Sequence, residues 1–160
     1  MHTAKSVLLA LSGLFAMSPA AVADENYKNG QDITGSWRIV VTAPAGAVSC
    51  PPGLSECQIL AMATATWDRS VVQTAALPNV STGHGVWERS GLRRFIIRSS
   101  YFRFDPTDHT LLGSSLTETA MEIDKSGLTG SGVFKNTLFD LEGISIGSFE
   151  GKAEATRIVP

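Results

Sequence analysis

Eight short runs rich in valine, isoleucine, threonine and aromatic residues follow one another along this chain, each bounded by glycine, proline, aspartate or asparagine. That punctuation leaves few folds open. Strands are expected at Gly35–Thr42, Ile59–Trp67, Ser70–Ala75, Gly85–Arg89, Arg93–Phe104, Leu111–Ile123, Leu128–Phe139 and Ile144–Ile158. Beyond the first residues no stretch keeps apolar side chains at i, i+3, i+4 and i+7, except for a short helix allowed just before Gly35. The connections carry turn chemistry: PAGAVSCPPG is a loop held by proline and cysteine, DPTDH is a tight polar turn, and DKSG reads as a hairpin turn.

About eight strands joined by short turns make an all-β, antiparallel, up-and-down sheet. Long strands in a small chain favour closing that sheet into a barrel, since closure removes the edges that would otherwise be exposed. The interior of an eight-stranded barrel is just wide enough to be filled, or to hold one small ligand. The glycines of GLTGSGVF would let its wall bend sharply. A chain of 160 residues is enough for one such domain.

The first residues read differently from the rest. MHTAKSVLLALSGLFAMSPAAVADEN places Lys5 before an apolar run, Val7–Met17, and ends it with Ala21-Val22-Ala23. This is the layout of an export signal, with the run too short to span a bilayer. Residues 1–23 are therefore expected to be a signal peptide, 24–34 a loose lead-in and 35–160 the barrel. Cleavage removes one basic residue, Lys5, so the mature chain is weakly acidic. A weak, mixed charge argues against nucleic acid and against anionic membrane as partners, because both need concentrated basic surface. In an oxidising compartment Cys50 and Cys57, close together in SCPPGLSECQ, read as a structural disulfide. Such a crosslink would stabilise the fold by about 2–3 kcal/mol.

ITGSWRIVVT, with Gly35 and Trp37 opening the first strand, resembles the G-x-W signature of lipocalins and their calycin relatives. The resemblance implies a tryptophan packed across one end of the barrel and an arginine of the last strand lying over it. Arg157, in ATRIVP, is placed to be that arginine. A guanidinium over an indole gains cation–π attraction while its donors satisfy nearby carbonyls, which closes the barrel floor. The family's Thr-Asp-Tyr signature is absent; YFRFD (101–105) has a similar aromatic-then-aspartate order.

GHGVWERSG (83–91) presents a choice. Alternation puts Trp87 with Gly85 and Arg89 on one strand face, and His84 with Val86 and Glu88 on the other. Either Trp87 faces the lumen, or His84 and Glu88 do, as a base and the acid that orients it. Burial energetics favour Trp87 inside. GLRRFIIRSSYFRFD presents another. Arg94 and Arg98 share a face opposite Phe95, Ile97 and Tyr101. Outward, the arginines would pair with Glu118 or Glu122 on the following strand; inward, they would clamp an anionic ligand. A bulge near Ser99-Ser100 would turn Phe102 to the apolar side.

The candidate ligand-binding residues are accordingly Trp87, His84, Arg94, Arg98, Tyr101 and Phe102. No catalytic motif, phosphate loop or nucleotide fingerprint occurs, no cofactor is implied, and with His84 and His109 the histidines left after cleavage, no multi-histidine metal site is expected. Three functions follow: a barrel that binds a small apolar or amphipathic molecule, a structural or interaction barrel with a filled interior, and a barrel isomerase or cyclase. An open cavity of a few hundred Å³, against a lumen packed solid, separates the first from the second.

Overall fold

The structure is a computed structural model that describes residues 32–47 and 53–159. Eight antiparallel strands run up and down around a closed barrel: β1 (Gly35–Pro44), β2 (Glu56–Ala65), β3 (Ser70–Ala75), β4 (Gly83–Arg89), β5 (Arg94–Phe104), β6 (Leu111–Ile123), β7 (Thr129–Phe139) and β8 (Ser145–Arg157). Each strand pairs with its sequence neighbours, and β1 closes the wall against β8 through pairs from Trp37↔Arg157 to Thr42↔Lys152. The barrel and its strand order agree with the expectation from the turn signals. Differences are confined to strand ends: β2 ends at Ala65 because Thr66 and Asp68 cap the turn into β3 with side-chain and backbone hydrogen bonds.

Alternation decides which residues fill the interior. In β6 every second residue from Thr119 to Ile123 is buried while Glu118, Ala120 and Glu122 are exposed, a period of two that runs through the wall. The floor-side core gathers Ile33, Trp37, Ile39, Ala63, Val71, Trp87, Phe95, Ile97, Met121, Ile123 and Ala155. Trp87 and Phe95 meet there edge to face, with ring centres 5.8 Å apart.

Glycine is needed where wall strands come close. A methyl group on Gly85 would lie 1.8 Å from the Arg98 carbonyl oxygen, and one on Gly132 would lie 2.1 Å from that of Ala120. The DKSG hairpin forms between β6 and β7. Asp124 accepts from the Ser126 hydroxyl and the Leu128 and Thr129 amides, and these bonds, the Ser126 one foremost, hold its carboxyl below the usual carboxylate range.

Two features differ from the sequence reading. The register of β5 on β6 runs without a break past Ser99 and Ser100 and shifts only between Arg103 and Phe104, so Phe102 stays on the outer wall, 59 % exposed. Asp32, Ile33 and Thr34, the last residues of the lead-in, are not helical and are buried beneath the barrel, while the rest of the segment that allowed a short helix lies outside the described residues. No described helix is long and apolar enough to cross a membrane. The signal segment 1–23, the rest of the lead-in and Cys50 lie outside the described residues, while Cys57 is buried on β2.

Candidate functional site

The two ends of the barrel are built differently. At the floor, Trp37 is buried at the start of β1 and donates from Nε1 to the Ile33 carbonyl at 2.7 Å. The Arg157 guanidinium lies over its ring, 4.3 Å from Cζ to the ring centre. Arg157 Nε donates to Gly127 O at 2.7 Å, Nη1 to Thr34 O and Nη2 to Asp32 O. One planar fork thus ties the lead-in, the β6–β7 turn and the last strand together. Gly35, with φ of +114°, sits beneath it; a methyl group there would lie 2.9 Å from Arg157 Nη1. Above the floor the core leaves a void of only about 20 Å³.

The half nearer the other end, the mouth, is not filled. A partly open cavity of about 110 Å³ lies there. Most of its wall is apolar: Ile39, Val41, Ile59, Ala61 and Ala75 on β1 to β3, Leu77 and Val80 in the β3–β4 connection, and Phe134 and Phe149 on β7 and β8. The two phenylalanines meet edge to face at 6.0 Å. Into this wall the strands insert five uncharged polar side chains, Gln73, Tyr101, Ser115, Thr117 and Asn136. None of the described lining residues is charged.

Tyr101 anchors that polar group. Its ring lies against Gly83, where a methyl group would come within 2.3 Å of it, and its hydroxyl donates to Gln73 Oε1. Burial pushes its phenol well above the ordinary tyrosine value, which favours the neutral form. Asn136 lies between Thr117 of β6 and Phe149 of β8, and its Oδ1 is buried with no hydrogen-bond partner. On the wall below Tyr101, the buried Ser99 Oγ also lacks a partner.

The residues singled out from sequence separate onto two faces. Trp87 points inward, 9 % exposed, and donates from Nε1 to Thr66 O at 2.9 Å; it belongs to the floor-side core and does not line the cavity. His84, Val86 and Glu88 face outward, so no histidine–glutamate pair reaches the lumen. Arg94 and Arg98 also lie on the outer wall, which corrects their assignment to a ligand. Arg94 pairs with Glu122 at 3.2 Å, and Arg98 with Glu88 at 2.8 Å and Glu118 at 2.6 Å. Charge alternates from there across four strands, since Arg98, Glu118, Lys135 and Glu150 are successive cross-strand partners. Leaving these charges in water avoids the desolvation that an inward arginine would suffer. Phe102 is outward as well, and of the six candidates Tyr101 alone lines the cavity.

Sequence reasoning missed Gln73, Ser115, Thr117, Asn136, Phe134 and Phe149. A signal was present: Ser115 and Thr117 fall in phase with Met121 and Ile123, and Asn136 in phase with Phe134. A small polar residue on the apolar phase of a strand marks a lumen position that is wet or made for a ligand.

No group of three or more metal-ligating side chains occurs among the described residues. Comparison with family models, with curated proteins and with solved structures finds no match to the chain.

Proposed function

We propose that this chain is an exported, calycin-like barrel that takes up a small apolar or amphipathic molecule in the mouth-side half of its lumen. One observation carries the reading: an apolar cavity of about 110 Å³ lies above a packed floor, and among its lining residues is Asn136, whose buried carboxamide oxygen has no partner. Apolar cavities of roughly 150 Å³ stay dry and take up benzene, so this one suits a ligand of about one ring. It is smaller than the few hundred Å³ of a drug-sized site, and a larger molecule would have to protrude through the mouth. The export reading rests on the layout of residues 1–23, and the proposed Cys50–Cys57 disulfide is the crosslink expected of an exported chain. The lipocalin likeness rests on Gly35, Trp37 and Arg157 and their arrangement at the floor.

A structural barrel with a filled interior is the second reading, favoured by the tight floor half and by the modest size of the cavity. The isomerase reading is weaker, because the His84–Glu88 pair it would use stands on the outer wall. A thermal-shift and NMR screen of small apolar compounds against the mature protein, repeated on Ala75→Leu, tests the proposal. Binding by the native protein that vanishes when leucine fills the cavity is the expected result. No binding by any compound would leave the filled barrel as the better account.

A further inference from the structure

The chemistry of the cavity wall narrows the class of molecule it suits. This step rests on the reading of the lumen as a binding site. Asn136 lines the cavity, and its Oδ1 is a buried acceptor without a donor, an unmet polar atom that costs free energy and that a small turn of the side chain would offer to the cavity. The Tyr101 oxygen gives its own proton to Gln73 and keeps lone pairs to accept with. Both groups therefore call for a donor. The remaining wall offers aliphatic side chains and the edge-to-face pair Phe134 and Phe149, surfaces that match a flat ring. No described lining residue carries a charge that could offset an ionised ligand, and a charge left unpaired in such a site is strongly penalised.

We infer that the cavity is selective for a small neutral aromatic molecule carrying one hydroxyl or N–H donor, of the phenol type, with the donor on Asn136 Oδ1 and the ring beside Phe134 and Phe149. A charged aromatic acid is rejected. So is an aromatic of the same shape with a methyl in place of the donor, because it leaves the Asn136 oxygen unmet.

Phenol, toluene and benzoate separate the terms. Phenol and toluene share size and shape and differ in the donor; benzoate adds a charge. Binding is followed by NMR titration of the mature protein and of Asn136→Leu. Phenol is expected to bind the native protein about tenfold more tightly than toluene, a preference lost or reversed in Asn136→Leu, with benzoate not binding. Equal or tighter binding of toluene to the native protein would overturn the donor requirement while leaving the lumen a binding site; a water molecule would then be what satisfies Asn136. Benzoate binding as tightly as phenol would overturn the neutrality requirement. If none of the three binds, this inference is overturned, and the proposed function falls with it when the wider screen of apolar compounds is empty as well. Should Asn136→Leu fail to fold, Asn136→Ala supplies the second arm: it removes the acceptor without adding bulk, and the preference for phenol over toluene is expected to be lost there as well.

Discussion

Arg157 lies over the ring of Trp37 and gives each of its three nitrogens to a backbone carbonyl, so one side chain closes the barrel at one end. Arg157→Ala would leave three carbonyls to find other partners and bare the indole. A loss of about 2–4 kcal/mol in urea unfolding is expected. Arg157→Lys should recover less than half of it, since an ammonium cannot reproduce the planar fork. Full recovery by lysine would mean that charge alone closes the floor.

Gly85 and Gly83 stand two residues apart and predict different outcomes. The methyl of Gly85→Ala would meet the Arg98 carbonyl of the paired strand, which cannot move without breaking the sheet. A destabilisation of about 3 kcal/mol or more follows. Gly83→Ala would meet the Tyr101 ring instead. That ring can tilt, so a smaller loss is expected, together with a change in the Tyr101 environment visible in NMR. Equal losses at both sites would contradict the distinction.

The inward turn of Trp87 is tested against its neighbour on the other face. Trp87→Ala empties a space beside Phe95 and takes one of two donors from Thr66 O, leaving the Arg69 amide, for about 3–5 kcal/mol. His84→Ala, on the exposed face, should stay within about 0.5 kcal/mol of the native protein. Chemical denaturation of both variants under one set of conditions decides the matter.

Tyr101 predicts an alkaline limit to stability. Its folded-state pKa is raised above the ordinary 10.0 by burial. The neutral phenol's contribution is whole below that ordinary value and drains away as pH climbs from there toward the raised folded value. Between about pH 8 and about pH 11 the native protein should lose more stability than Tyr101→Phe, which has no proton to give up. Parallel loss in both would assign the alkaline slope to other groups.

Much of this wall could be read from the chain before any coordinates. Leu111–Ile123 and Ser70–Ala75 are strands with the bounds that their turn residues suggest. Trp87 faces inward for the reason its size gives, whereas alternation left Arg94 and Arg98 a choice of face that their pairing with Glu122, Glu88 and Glu118 on the outer wall decides. Local pattern carries such features because each depends on a few neighbouring residues. Phe102 shows where it stops. Its phase turns on whether the β5–β6 register slips at Ser99 or four residues later, and that is set by pairing with a distant strand. The cavity was hidden for a related reason: Gln73 and Asn136 look like surface residues until the closed barrel decides which phase faces in.

The seam between β1 and β8 has a kinetic meaning. Thr34 and Arg157, joined across the floor, are 123 residues apart in the chain, and β1 has no second neighbour until β8 arrives. Hairpins from β1 through β7 can form from local contacts, but the ring cannot shut until its most distant pairing is made, which is the slow kind of event in folding. Until then the chain is an open sheet with two bare edges, the form in which such a protein is most vulnerable to pairing with its own kind.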